Sequence, residues 1–102
     1  MLNNTISIRS FYGESASAQN NAKVVTVAGV DFYFSYETLV AVGTGKEVIV
    51  RKNIWGTTTG KHLNMIDGGS KEAKKDRLDE DEFKNAFEEM DLPETIKELF
   101  DI

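Results

Sequence analysis

Five short segments rich in β-branched or aromatic residues recur in the first half of the chain, at positions 5–12, 23–28, 32–36, 38–42 and 47–52, and predict β-strands. In the first and third of them, apolar residues recur with the period of two that is typical of a strand, as at Ile6 and Ile8. The stretch Gly-Thr-Gly-Lys at 43–46 is typical of a tight hairpin turn. Strands joined by such short loops pair antiparallel, because a parallel crossover needs roughly a dozen connecting residues. We therefore predict an antiparallel meander of four to five strands, in which Phe32, Phe34 and Tyr36 share one face.

The second half of the chain changes to the periodicity of amphipathic helices. Asp79 followed by Glu82 matches a capping box, and Phe83, Phe87 and Met90 then recur on one helical face. A further short helix is predicted around Pro93, because proline is tolerated in a first helical turn. The fold class is therefore α+β: the strand meander, a short helix, and two C-terminal amphipathic helices that cover one face of the sheet.

The short helix is predicted at 58–66, begun by a threonine cap and ended by the glycine pair at 68–69. Two other segments carry no strand pattern. Residues 13–22 are small and polar, and we expect a mobile loop there. Residues 70–77 are charged and solvated, which is typical of a linker or of a polar helical turn. All 102 residues are expected to form one domain, since this length is near the common domain size.

Composition limits the environment and the chemistry. The chain has six Phe, three Tyr and one Trp, enough bulky material for a core, and no Cys, which excludes disulfides and thiolate metal sites. The N-terminus does not have the pattern of a secretory signal, and no apolar stretch approaches the roughly 18 residues of a membrane span. We expect a cytoplasmic protein that does not enter membranes.

Charge is unevenly distributed, and the C-terminal quarter is strongly acidic. Residues 78–102 carry ten acids against Lys84 and Lys97, whereas the preceding residues have a small excess of bases. Such a segment repels DNA and favours a protein partner with a basic surface. The candidate partner-binding residues are Asp79, Glu80, Asp81, Glu88 and Glu89. The alternative is that these carboxylates only form the solvated face of a helix.

The stretch Gly-Thr-Thr-Thr-Gly-Lys-His at 56–62 resembles a phosphate-binding loop, but it fails the Walker A pattern. Three residues separate its glycines instead of four, and His62 stands where the Mg²⁺-binding hydroxyl should be. Two interpretations remain open. In the first interpretation, the start of the helix holds an anion with Thr58, Thr59, Lys61 and His62. Alternatively, the threonines cap the helix and Trp55 packs under it.

A broader alternative is nucleic-acid binding by the same region. Arg51, Lys52 and Lys61 supply positive charge, and Trp55 with nearby tyrosines supplies rings on which bases can stack. The competing explanation is that these rings belong to the core. His62 is the single histidine and is expected to be a surface or capping residue. Without a catalytic set or a ligand cluster, we predict no enzymatic activity, no metal and no cofactor.

Two segments, Phe-Ser-Tyr-Glu-Thr-Leu-Val-Ala at 34–41 and Asn-Ile-Trp-Gly-Thr-Thr-Thr-Gly-Lys-His-Leu-Asn at 53–64, resemble a group of short, uncharacterised phage-encoded proteins. That group has a Ser-Tyr-x-Thr-x-Val-Ala strand followed by Trp/Tyr-x-x-Thr-Thr-x-Lys/Arg-His. The chain departs from it at Leu39, where Pro is common, and at Gly56, where Ser is common.

The resemblance implies a phage protein that acts in the host cytoplasm, and no catalytic role is attached to the motif. Small acidic phage proteins often bind host enzymes. The expected function is therefore a non-enzymatic binder that modulates or inhibits a host or phage protein, such as a defence nuclease in the manner of an anti-CRISPR protein. The alternative is a nucleic-acid- or phosphate-binding accessory protein. The oligomeric state stays open, a homodimer included.

Overall fold

The computed structural model describes residues 6–11 and 21–99, and its first part is a five-stranded antiparallel sheet. The strands are β1 (Ile6–Ser10), β2 (Ala22–Val27), β3 (Val30–Ser35), β4 (Thr38–Gly43) and β5 (Val48–Val50). They lie side by side in chain order, each antiparallel to its neighbour, which confirms the predicted meander. Most of the predicted 13–22 loop lies outside the described residues. Its last residue, Ala22, is buried in β2 rather than part of a loop.

Four helices follow the sheet: α1 (Thr57–Asp67), α2 (Lys71–Asp76), α3 (Glu80–Glu89) and α4 (Glu94–Leu99). The predicted capping box is confirmed, because Asp79 accepts from the Glu82 amide while the Glu82 carboxylate accepts from the Asp79 amide. Gly68 ends α1 in the left-handed conformation that glycine adopts readily. Of the two structures considered for 70–77, the helical one is present.

The helices cover both faces of the sheet, not one as predicted. On one face, Phe83 and Phe87 of α3 pack with Phe32 of β3, and Ile96 of α4 joins the same cluster. On the other face, Leu63 of α1 packs against the inward residues of β4 and β5. The reason lies in β4, where adjacent residues 39–42 are all apolar, so both of its faces need a cover.

A buried ion pair fixes the end of α1 to the chain that follows α2. The Arg77 guanidinium donates to both carboxylate oxygens of Asp67, at 2.8 and 2.9 Å, and to the Asn64 side-chain oxygen at 3.0 Å. Both charged side chains are almost fully removed from solvent. The prediction that Arg77 belongs to a solvated segment is therefore wrong, because a charge at this depth needs a partner and finds one.

The two edges of the sheet differ. The β5 edge is covered at its C-terminal end by Leu78, whose amide donates to the Val50 carbonyl at 2.8 Å and whose carbonyl accepts from the Lys52 amide at 2.8 Å. The β1 edge has no such cover in the described part of the chain, where β1 pairs with β2 alone.

Candidate functional site: a hydroxyl-lined pocket at the start of α1

The two motif segments, 34–41 and 53–64, meet in a buried hydrogen-bonded cluster. Ser35, at the end of β3, lies 2.9 Å from the Thr59 hydroxyl and 2.7 Å from Nδ1 of His62, both on α1. All three side chains are buried. Because Ser35 and His62 are 27 residues apart, this contact exists only when the first turns of α1 dock on the sheet.

His62 is an interior residue, so its predicted place at the surface or at a helix cap is wrong. Its ring lies 6.1 Å, between centroids, from the rings of both Phe11 and Tyr36. Burial lowers the pKa of His62, because removal from water penalises the charged imidazolium. The neutral form of the histidine is therefore favoured at pH 7, and its ring packs between α1 and the sheet, where it bonds Ser35.

A Ser–His hydrogen bond also resembles the nucleophile–base pair of hydrolases. Here, however, the Ser35 hydroxyl is buried and is already engaged by Thr59. A nucleophile must reach a substrate carbonyl, and Ser35 is only 2% exposed although it lines the adjoining pocket. We interpret the cluster as structural, with its functional consequence at the surface above it.

Above the cluster lies a pocket of about 280 Å³. Its lining combines hydroxyl-bearing and aromatic residues from the β3–β4 turn and from the start of α1: Ser35, Tyr36, Thr38, Trp55, Gly56, Thr57, Thr58 and Thr59. The lining has no charged side chain. The volume lies just below the range for small-molecule sites, so it suits a single side chain or small group better than a nucleotide.

Tyr36 reaches the pocket at a conformational cost. It lies in the turn between β3 and β4 with φ 57°, a left-handed conformation that costs a bulky residue roughly 1–3 kcal/mol. The prediction that Tyr36 shares a face with Phe32 and Phe34 is therefore wrong, because β3 ends at Ser35. Its amide donates to the Asn21 carbonyl at 2.7 Å, and its side chain is 51% exposed. A strained, exposed tyrosine indicates a functional reason for its position.

Asn53 shapes the loop that presents Trp55. Its side-chain oxygen accepts from the amides of Trp55 and Gly56 at 3.0 and 3.2 Å, and its side-chain nitrogen donates to the Gly56 carbonyl at 2.9 Å. A Cβ added at Gly60 would lie 3.0 Å from that nitrogen, so glycine allows α1 to pass close to the loop. Trp55 remains 38% exposed and does not pack under the helix as one interpretation held.

Helix α1 begins without the predicted threonine cap. The N-cap residue is Gly56, which makes no side-chain capping bond, and Thr59 uses its hydroxyl to bind Ser35 instead. The first-turn amides of a helix have no partner within the helix, so they supply hydrogen-bond donors beside the pocket. The capping interpretation of the threonines is therefore wrong.

A family model for a family of unknown function, DUF8033, matches residues 6–85. The chain belongs to the DUF8033 family. The matched region contains the whole pocket and the buried cluster, and it ends inside α3, before α4. No curated protein and no solved structure gives a significant match.

The DUF8033 pocket brings together only part of the residue set predicted for anions or nucleic acid. Thr58, Thr59 and Trp55 line it, but His62 is interior. Arg51 is engaged within the chain. Its guanidinium lies 4.9 Å from the centre of the Trp55 ring and 5.7 Å from that of the Phe83 ring. It also donates a hydrogen bond to the Leu39 carbonyl. Two further bases, Lys52 and Lys61, are exposed and line no part of this pocket.

The candidate acidic residues lie on the solvent side of α3, while Phe83 and Phe87 are buried, as predicted. Asp79 differs from the others because its carboxylate is occupied in the capping box. The hydrogen bond from the Glu82 amide, with a smaller contribution from nearby Lys52, lowers the pKa of Asp79. The other four, Glu80, Asp81, Glu88 and Glu89, are exposed.

Two lining residues, Ser35 and Thr38, were not predicted as site residues, and Tyr36 was considered only for stacking. The available signal was the Ser-Tyr-x-Thr motif, whose polar residues no strand pattern requires. Within residues 6–11 and 21–99, no group of three or more His, Asp or Glu is arranged to hold a metal ion. No helix in these ranges is long and apolar enough to span a bilayer.

Proposed function

We propose that this DUF8033 protein is a non-enzymatic binder of another protein, and that it binds through the exposed rim of the α1 pocket. The rim consists of Tyr36 and Trp55, which line the pocket, and of Ile54, the exposed residue that precedes Trp55 in the same loop. These side chains are 51, 38 and 73% exposed, although large apolar residues are normally buried. Trp and Tyr are the residue types that dominate binding hot spots, and exposed apolar patches mark interaction surfaces. This rim is the observation that carries the proposal.

The neighbourhood of the rim supports a partner with basic residues. Arg51 contacts the rings of both Trp55 and Phe83, so the rim adjoins the N-terminal part of α3. That end of the helix carries the exposed acids Glu80 and Asp81. An apolar anchor beside carboxylates favours a partner that presents an apolar group flanked by Lys or Arg.

The source of the partner is the finer part of the proposal. Resemblance to phage-encoded proteins supports a protein of the bacterial host cytoplasm. A defence nuclease fits this chemistry, because nucleases carry basic channels for nucleic acid and an acidic helix competes for them. The role proposed for this protein is to occupy such a surface and inhibit the enzyme.

Replacing Ile54 by Asp should weaken partner binding at least tenfold, which is about 1.4 kcal/mol, because it places a charge where an apolar contact forms. Immobilised wild-type protein would first recover partners from a bacterial lysate. Isothermal titration calorimetry would then compare the purified partner's affinity for each variant. Met65→Asp is the matched control, since Met65 is also exposed but lies near the other end of α1. Equal losses in the two variants would contradict the proposal.

A second arm of the experiment separates the rim from the acidic helix. Reversal of charge at Glu80, Glu88 and Glu89 should slow association and reduce its salt dependence. The Ile54→Asp substitution should instead mainly speed dissociation of the complex. A triple charge-reversal variant that associates as fast as the wild type would remove α3 from the interface and leave only the rim.

Tyr36→Gly should weaken binding without lowering stability. Glycine adopts a positive φ freely, so relief of strain should offset the lost ring contact, and the free energy of unfolding should stay equal or rise by up to about 1 kcal/mol. Urea unfolding and calorimetry on the same samples measure the two effects. A loss of stability with unchanged binding would show that the ring serves the core and not a partner.

The alternative function, binding of nucleic acid or phosphate, has weaker support. The amides at the start of α1 and the exposed Lys61 favour it, but Arg51 and His62 are committed to internal contacts. Binding of labelled single-stranded DNA that falls with salt and disappears in Lys61→Ala would favour this alternative over a protein partner.

A further inference from the structure

We propose that the chain forms a homodimer by antiparallel pairing of β1 with β1 of a second copy. The proposal depends on the β1 edge, at which no further strand pairs within residues 6–11 and 21–99, and is independent of the pocket. Leu78 covers the C-terminal end of the β5 edge, so β1 provides the longer run of backbone at which the sheet can grow.

The hydrogen-bond phase of β1 shows which backbone groups face outward. The Phe11 amide donates to the Ala22 carbonyl at 3.1 Å. In an antiparallel pair, residues alternate between bonding the neighbour and pointing away from it. Ser7 and Arg9 are therefore in phase with Phe11 and bond β2, while the backbone groups of Ile6 and Ile8 point away from the sheet.

The side chains of β1 do not protect this edge. Ile6 and Ile8 are 62 and 68% exposed, whereas edge strands normally carry charges, prolines or bulges that discourage pairing. The one charge of the strand is Arg9, on the opposite face from the isoleucines. It donates to the Thr26 hydroxyl at 2.9 Å and lies 4.0 Å from an Asp31 oxygen, so its charge is partly neutralised within the chain.

A second copy fits this edge because the edge is complementary to itself. A two-fold axis beside Ser7, perpendicular to the sheet, places Ile6 of each copy opposite Ile8 of the other. Each such pair can exchange two backbone hydrogen bonds, since both residues have outward-facing groups. The axis keeps all four isoleucines on one face, where β-branched cross-strand pairs are favourable. Arg9 lies outside the paired residues, so no like charges stand opposite each other.

The expected dimer is weak, and salt should strengthen it. A pairing of this size lies at the low end of specific interfaces. Each chain carries a net charge of −5, which opposes association until salt screens it. The acidic binding surface proposed above should have the opposite salt dependence, because salt weakens attraction to a basic partner. The two proposals can therefore fail separately.

Sedimentation equilibrium of the full chain over a roughly hundredfold concentration range tests the proposal. The wild-type weight-average mass should rise toward that of a dimer, and more so at high salt. Ile8→Lys should remain monomeric, because lysine on an edge strand blocks pairing. Val48→Lys, an equal change at an exposed position on the opposite edge strand, should associate like the wild type.

Two further measurements keep the test decisive. Ile8→Pro removes an outward amide without disturbing the bonds to β2, so it should also give a monomer if Ile8→Lys disturbs folding. Hydrogen exchange at the Ile6 and Ile8 amides should slow as concentration rises. A wild-type protein that stays monomeric at high concentration and high salt, or an Ile8 variant that dimerises normally, would overturn the proposal.

Discussion

Arg77→Ala should lower the free energy of unfolding by about 3–5 kcal/mol, because it leaves the Asp67 carboxylate buried without its partner. The replaced guanidinium makes three hydrogen bonds that join the end of α1 to the start of α3. Since small domains are stable by only about 5–15 kcal/mol, this single change brings the chain close to unfolding. Urea titration followed by circular dichroism measures the loss.

Controls for this prediction come from the same region. Lys74→Ala, at an exposed position of α2, should change stability by less than about 0.5 kcal/mol. The double variant Asp67→Ala/Arg77→Ala should cost much less than the sum of the two single variants, because removing both partners leaves no isolated charge. Additive losses would mean that the two side chains do not interact in solution.

The Asp67 carboxyl group also determines how the stability of the fold should change at acid pH. Burial opposes ionisation of its carboxyl group, but the hydrogen bonds from Arg77 and from the Gly69 amide outweigh this and lower the pKa of Asp67. The stabilisation is complete above the unfolded value of 3.8 and is lost as pH falls through the folded value. The ion pair therefore resists mild acid and fails only at low pH.

His62→Ala should cost about 3 kcal/mol, because it leaves a cavity beside the rings of Phe11 and Tyr36 and removes a hydrogen bond from buried Ser35. The wild-type protein should also lose stability on acidification from about pH 7.5 to 5.5. The folded pKa lies below the unfolded value of 6.5, so the unfolded chain takes up the proton first. The contribution is complete above that value and declines below it.

His62→Asn separates the two effects. Its amide occupies nearly the same place as Nδ1 and can still bond Ser35, so the variant should be more stable than His62→Ala. It should also show no pH dependence in this range, because the chain has one histidine. Urea midpoints at several pH values test both statements. An unchanged pH dependence in His62→Asn would show that another group titrates.

The elements of this fold were predictable because their signals are local. The capping box of α3 spans four residues, and the Phe83–Phe87 stripe follows within two turns, so both are readable without tertiary information. The same holds for the strand meander, whose short loops leave only antiparallel pairing available. Even the outward direction of the α3 acids follows from the buried stripe on the same helix.

The candidate site was predictable only in fragments. Thr59 and His62 were selected from the sequence, but as cap and surface residues, because a hydroxyl at a helix start usually serves that purpose. Their true partner, Ser35, is 24 and 27 residues away in the chain. Tyr36 was placed in a strand, since its pattern continues that of Phe32 and Phe34, and nothing in that pattern shows that the strand ends one residue earlier.

The sequence by itself determined the antiparallel sheet, the helices that follow it with the capping box of α3, and an acidic C-terminal surface. Tertiary structure alone decided that α1 covers the second sheet face, that Arg77 meets Asp67, and that Tyr36 and Trp55 border one pocket. The physical reason is the distance along the chain over which each interaction acts. Periodicity and capping act over a few residues, whereas the site depends on how a helix docks across a sheet, which is set by packing between segments distant in the chain.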